Sequence, residues 1–353
     1  MTRLLVEVTD FVDTARSMSR DVADPSEVAS GRLTSVLLDS GSMAGDDPGG
    51  RQWARTYDQA ARSSLLATQQ VVNAAYTTSS IFARSGRNYA EAEAASTASA
   101  QTSLGAALAN LPPDGYSSPP PSFPSAAGGS GGTPHGWGLV QHLVGYVWPN
   151  GHQDRLHRAA HAWSAAALAL DRASLYAEMA PGGFASDALP ESEDICIVCR
   201  GLSAHIADLA STYRALARAC TELAHHLDQC HRAVISELAD LLEWTAGIQA
   251  GGALLGAVTA GIAEAPAQAL QLAKIAAAAK KVEELILIFT DAARLLADTL
   301  PTVAATAERI RLAMEGLAST RLAVAGVTSA KRLPVAGNTV RLAKSRETLA
   351  TGR

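Results

Sequence analysis

Thiols and imidazoles are the side chains of this chain best suited to chemistry. Cys196 and Cys199 stand in a Cys-x-x-Cys spacing, followed by Cys220, His225, His226, Cys230 and His231. Those are zinc-ligand types, but a tetrahedral site needs four that converge. On a helix Cys220 and Cys230 fall on an apolar stripe, with His225 and His226 beside or opposite it. The group reads as small buried thiols rather than ligands. A disulfide from the Cys196/Cys199 segment to Cys220 or Cys230 is the alternative in an oxidising space. His152, His157 and His161 precede Trp163, and the last two have a metal-compatible spacing of four. Arg158, Ala159 and Ala160 lie between them, without a glutamate to act as general base, so a solvated helix face is expected.

No Gly-rich phosphate loop precedes Lys-Ser or Lys-Thr, and no nucleophile elbow appears. Gly128-Gly129-Ser130-Gly131-Gly132 follows no strand, and the adjacent carboxylates Asp46/Asp47 and Glu283/Glu284 suit capping or solvation. The expectation is a non-enzyme with no catalytic residue, no metal and no cofactor.

What stands out instead is a turn with an address beyond it. Met43-Ala44-Gly45-Asp46-Asp47-Pro48-Gly49-Gly50 separates two helix-forming stretches, Trp53 follows, and Tyr89-Ala90-Glu91-Ala92-Glu93 closes the second. Gly45, Gly49 and Gly50 permit positive φ, Pro48 cannot donate a helical hydrogen bond, and Asp46 or Asp47 can cap the next helix. Tyr89 and Glu93, four apart, share one helix face that a receptor could read together.

The elements that must hold these residues are helices. Ala and Leu dominate and only 5% of residues are aromatic, which favours helix over strand. No run alternates apolar and polar residues between turn residues at strand spacing. The fold class is all-α: long antiparallel helical hairpins in an elongated bundle. The net charge of -5 encourages no nucleic-acid reading. Met1 to Glu7 turns acidic before any apolar core develops, so no cleavable signal peptide is expected.

Residues 1–111 read as a helical hairpin. Phe11, Ala15, Met18 and Val22 follow helical spacing, Pro25 marks a break or bend, and Trp53, Tyr57, Ala60, Ser64, Thr68, Val71 and Ala75 make a narrow stripe for one partner helix. Residues 112–134 read as a flexible linker between two halves, since Pro, Gly and Ser fill 17 of its 23 positions and little apolar surface offsets the ordering entropy. Residues 135–245 form a second hairpin, entered through Gly136-Trp137-Gly138 and Trp148-Pro149-Asn150-Gly151 and interrupted at Pro181-Gly182-Gly183. Within it, Leu202, Ile206, Leu209, Tyr213, Leu216, Cys220, Leu223, Leu227, Cys230 and Val234 alternate steps of four and three, a coiled-coil-like period.

Residues 246–330 hold a Gly/Ala-rich segment and amphipathic helices at Leu270–Leu300 and Val303–Leu317. Trp244 to Ala263 carries no charge and five glycines, long enough to span a bilayer. Gly247-x-x-x-Gly251 and Gly252-x-x-x-Gly256 give the small-residue spacing of packed membrane helices, although Gly, Ala, Gln249 and Thr259 supply little transfer energy. A buried or hinge-forming soluble segment is the competing account. Residues 331–353 form a basic tail, six basic residues against Glu347.

Taken in order, Met43 to Gly50, Tyr57-Asp58, Asn88-Tyr89, the Pro/Gly stretch, Gly136-Trp137-Gly138, Trp148 to Gly151 and Ala162-Trp163 resemble the CpnT-like N-terminal domain of type VII-secreted actinobacterial toxins. The match covers roughly residues 30–180. The resemblance implies a WXG-like hairpin, export guided by Tyr89 and Glu93, and a heterodimer with small WXG-type proteins, Trp53, Tyr57, Val71 and Phe82 forming the partner face. Gly45, Asp46, Asp47, Pro48, Trp148, Pro149 and Gly151 are its structural turns. It also implies secretion or envelope association, a separate catalytic domain in related toxins, and in one branch an outer-membrane channel.

Three departures qualify it. Ala54 and Arg55 follow Trp53, so no strict Trp-x-Gly is present, and His152 stands where an acidic residue is expected. Helical patterning to about residue 320 leaves no span for a catalytic domain, as expected of a targeting part or of a member without a toxin. The main expectation is a non-catalytic export and partner-binding module; the alternative is a pore or channel module using the Gly/Ala-rich segment.

Overall fold

The computed structural model describes residues 8–96, 121–185, 192–256 and 264–330. Helix α1 (Val8–Ser17) runs through a π-helical turn (Met18–Ala23) into α2 (Asp24–Leu38). Pro25 has no N–H, and its ring would meet the carbonyl four residues back. The ladder answers with one extra residue, the Asp24 N–H reaching the Ser19 carbonyl, as π-bulges do. The expected break is therefore a bulge, and the helix continues.

After the turn, α3 (Pro48–Ser96) runs 49 residues, about 73 Å at ~1.5 Å per residue. A one-turn helix α4 (Trp137–Val140) precedes α5 (Gln153–Met179), which ends in a 3-10 turn at Ala180–Ala185 where Pro181-Gly182-Gly183 stops it. Two very long helices complete the described chain, α6 (Ser192–Gly256) and α7 (Glu264–Ala330). Among the described residues there is no sheet; Gly45 makes isolated bridges to Ala127 and Gly128. The molecule is an all-α, elongated helical bundle.

One continuous core joins all these helices. Helix α3 packs most extensively along α7, α5 along α6, and α6 along α7, with α1 and α2 closing over α3 and α5. The units expected at 1–111, 135–245 and 246–330 thus share their core across the described residues. Every member of the stripe from Leu202 to Val234 is buried, and Leu238 and Leu241 continue it.

Three expectations change. The stripe on α3 is not narrow: Ala54, Ala61, Leu65 and Val72 beside it are buried too, because α3 lies between α7 and the remaining helices rather than facing one partner. The two helices expected on either side of Pro301 are one, α7. Pro301 faces solvent while Leu300 and Ala304 pack into the core, so tertiary packing carries the helix past the missing hydrogen bond. Finally, residues 121–134 of the expected flexible linker are held in place, as described below. Residues 112–120 of it, residues 257–263 of the Gly/Ala-rich segment and the basic tail lie outside the described residues.

Candidate functional site

The turn at one end of α3 is built around a buried carboxylate. Asp47 is fully buried, and its Oδ1 accepts the Gly49 and Gly50 N–H groups, each at 3.0 Å, capping the helix. Burial pushes its pKa up against the pull of those two N–H groups. Its Oδ2 is buried without a hydrogen-bond partner. Glycine is required twice here: Gly45 has φ +96°, and a Cβ on Gly50 would sit 2.2 Å from the Ala44 carbonyl oxygen.

A strap from residues 123 to 131 lies across this turn. The Ser42, Ala44 and Gly45 N–H groups donate to the Ser125, Ala126 and Gly128 carbonyls at 2.8–3.0 Å, and the Gly128 N–H returns a bond to Gly45. From α3, Asp58 accepts the Ser125 hydroxyl at 2.5 Å and the Ala126 N–H at 3.0 Å. Phe123 is buried under the Arg62 guanidinium, 5.8 Å away. Backbone hydrogen bonds, which composition does not reveal, thus replace the expected flexibility.

The Trp148-Pro149-Asn150-Gly151 entry closes the same site. The Asp46 N–H donates to Asn150 Oδ1 at 3.0 Å, Asn150 Nδ2 to the Gly129 carbonyl at 3.2 Å, and the His152 N–H to the Met43 carbonyl at 2.8 Å. His231 of α6 stacks on Trp148, ring centroids 4.5 Å apart, and its Nε2 lies 2.5 Å from the Pro149 carbonyl oxygen. So the turn at Met43–Asp46 meets the Asn150–His152 entry across about a hundred residues of sequence. Asp58 and Asn150 lie inside the motifs that carry the family resemblance and His231 in the Cys/His group weighed for a metal, but nothing local announces their role at this turn; Ser125 carries no signal. Beside the turn, a shallow cleft of about 370 Å³ is lined by Asp46, Gln141, His142, Tyr146, Trp148 and Asn150.

The four residues expected to face a partner are in this chain's own core. Trp53, Tyr57, Val71 and Phe82 are buried. Trp163 Nε1 of α5 donates to Tyr57 Oη at 2.8 Å, and the Thr68 hydroxyl meets Tyr213 Oη of α6 at 2.5 Å. Phe82 stacks on Phe184, centroids 6.2 Å apart. In this structure the groove beside α3 is filled by α5, α6 and α7. At the other end of α3, Tyr89 is half-buried and stacks on Phe11 with centroids 5.3 Å apart. Glu93 follows four residues later in the same helix; its side chain lies outside the described residues.

The thiols do not assemble. All four cysteines are on α6 and none is in a disulfide. Cys199 and Cys220 are 21 residues apart on one helix, about 30 Å, so the disulfide weighed from sequence is corrected: a single helix cannot fold back to close it. Burial pushes the Cys220 thiol up to about 12, away from thiolate chemistry. His157 and His161 are exposed. Among the described residues no group of three or more His, Cys, Asp or Glu is placed to hold a metal ion.

One helix among the described residues, α6, is long and apolar enough by length and composition to cross a membrane. Its stretch from Leu202 to Leu241 faces the core, while Trp244 to Gly256 continues the helix without a charge.

With this geometry in hand, similarity to known proteins is informative. Over 232 residues, 62% of this chain, the sequence is 32% identical to the outer membrane channel protein CpnT of Mycobacterium tuberculosis (strain ATCC 25618 / H37Rv) and, equally, to that of Mycobacterium bovis (strain BCG / Pasteur 1173P2). It is 36% identical over 151 residues, 43% of the chain, to Mav of Mycobacterium avium (strain 104), whose name assigns it an NAD(+)–arginine ADP-ribosyltransferase activity. No family model and no solved structure matches. The aligned region spans 25% of each CpnT and 17% of Mav, so the chain corresponds to about a quarter of the length of the channel proteins it matches. Over that region it is a distant homologue of the CpnT-like proteins of actinobacteria.

Proposed function

We propose that this chain is a non-catalytic, envelope-directed helical module that forms or lines a membrane channel through the hairpin of α6 and α7. The observation that carries the reading is the α6 sequence. Up to Leu241 the residues of its apolar stripe are buried in the bundle, and beyond it Trp244 to Ala263 carries no charge and has small residues at GxxxG spacing, a composition that allows close helix packing in lipid. Similarity to a protein named as an outer membrane channel supports the same reading. Similarity to Mav supports the absence of catalysis: a segment shared by differently named proteins, and spanning at most a quarter of each, suits a common module rather than either activity.

The purified chain is expected to release a dye from phosphatidylcholine/phosphatidylglycerol vesicles, and Leu254→Asp with Leu255→Asp to abolish release. Vesicles that stay sealed, with and without small helical partners, would overturn the channel reading.

A second reading, export by type VII machinery with a WXG-type partner, is favoured by the position of Tyr89 and Glu93, four residues apart near the end of α3. With Trp53, Tyr57, Val71 and Phe82 covered in cis, a WXG-type partner would bind elsewhere on the bundle or displace a helix. Tyr89→Ala should stop export while the bundle still folds; normal export of that variant would refute the signal.

A further inference from the structure

We infer that the outer face of the last turns of α5, centred on Leu175, docks a second copy of this chain, the two α5 helices lying antiparallel about a two-fold axis. The face shares no residue with the α6–α7 hairpin, so the channel reading and this contact are tested apart.

A helix on the surface of a bundle turns charged or polar side chains outward. Helix α5 does so over its first turns, where Asp154, His157, Arg158 and His161 are exposed. Further along, the outward side changes character. Leu168, Leu175, Tyr176 and Met179 are 59%, 59%, 46% and 71% exposed, and at spacings of seven, eight and eleven from Leu168 they share one side of the helix. The inward side of the same turns is already complete, with Ala167, Leu170, Ala173 and Ala177 buried. The four outward side chains are therefore an apolar face of their own.

Charge selects the occupant. Arg172 and Glu178, three residues before and three after Leu175, are both exposed. A helical residue pairs with those three or four away. For Arg172 these are Leu168, Ala169, Leu175 and Tyr176, and for Glu178 they are Ser174, Leu175, Pro181 and Gly182, so neither finds an opposite charge in its own helix. Asp171, next to Arg172, is taken by Arg214 of α6. Charges beside the exposed Leu295 and Leu312 of α7 are paired in cis instead, Arg294 with Asp291 and Arg311 with Glu308 and Glu315.

Opposite charges at equal distances from an apolar centre are self-complementary. A two-fold axis at Leu175 lays that side chain on its own copy and brings each Arg172 to the Glu178 of the other chain, the isologous pattern of a cyclic dimer. In the same register Leu168 comes level with Gly182 of the second copy, where a Cβ would meet nothing within 4 Å. A hollow of about 350 Å³ between α1 and Tyr176, Met179 and Gly183 lies at that level. A lipid surface or an unrelated helix has no reason to match this symmetry. From Leu168 to Gly182 the contact is about 21 Å long at ~1.5 Å per residue. One helix pair of that length falls short of a standard stable interface, so a dissociation constant on the order of 10–100 µM is expected.

Sedimentation equilibrium of the whole chain over about 1–300 µM tests this. The wild type is expected to pass from monomer to dimer across that range. Leu175→Asp should weaken the dimer at least about ten-fold, with an unchanged circular dichroism spectrum and melting temperature. Arg172→Glu and Glu178→Arg should each weaken it several-fold, because each sets like charges opposite one another in both pairs. Arg172→Glu/Glu178→Arg should restore it, and the two single variants mixed together should form a mixed dimer. A wild type that stays monomeric throughout would overturn the contact. So would a dimer indifferent to Leu175→Asp, or charge reversals whose losses add in the double variant rather than cancel.

Discussion

Helix α6 and the loop Trp137–Trp148 both present regularly spaced aliphatic side chains, and they meet opposite fates. From Leu202 to Leu241 every stripe residue of α6 is buried against α5 and α7. In the loop, Leu139, Leu143 and Val147 repeat at four and stay exposed. Periodicity thus states which side chains share a face, not whether that face finds a partner within the chain. Where it does, charged residues take the other side. In the loop there are none, and the exposed side is shared with the uncharged polar side chains of Gln141 and His142.

The contrast can be tested from the core outwards. Trp53→Ala removes a fully buried indole and should cost about 3 kcal/mol, the low end of the range for such truncations, because its Nε1 has no partner to lose. Urea unfolding measures it; a loss below about 1 kcal/mol would mean that α3 is not held as described. Tyr57→Phe strands the Trp163 N–H in a dry core and should cost about 1–3 kcal/mol, read by the same method. Asp47→Asn probes the turn between the two regions. Burial raises the Asp47 pKa above its ordinary 3.8, so the folded state holds the proton more tightly than the unfolded chain. That stabilisation is full below 3.8 and is lost as pH rises through the folded value. Stability of the wild type should fall relative to the variant across that window, and parallel curves would contradict it. Smallest of all, Leu143→Ser should leave stability within about 0.5 kcal/mol, since its side chain is more than half exposed; a larger loss would place the loop with the core and dissolve the contrast.

Much of this was legible before the structure. The long helices followed from their periods, the turn at Met43–Gly50 from its glycines, proline and aspartates, and the α6 stripe residue by residue. Other features were not. Beyond Phe123 and Pro124 the strap at 123–131 is Gly, Ser and Ala joined largely through backbone groups, and its composition is that of an unstructured segment. The second buried face of α3 is mostly alanine, which reads equally well as core or surface. Proline at 301 signals a stop unless the flanking side chains are known to be buried. The meeting of Asp46 with Asn150 depends on a side-chain amide bonding across a long loop, and no local pattern announces such a pair.

Two hydrogen bonds inside the bundle bear on its mechanics. Faces rich in alanine are smooth, and helices bearing them can slide past one another by a turn, ~5.4 Å, while still burying similar area. On α3, Tyr57 holds α5 through Trp163, and Thr68, eleven residues and three turns later, holds α6 through Tyr213. A one-turn slip of α3 past its neighbours strands both pairs together, so they act as keys in a keyed shaft. The bundle has one axial setting, and a chain that unfolds returns to that setting rather than to a family of near-equivalent ones.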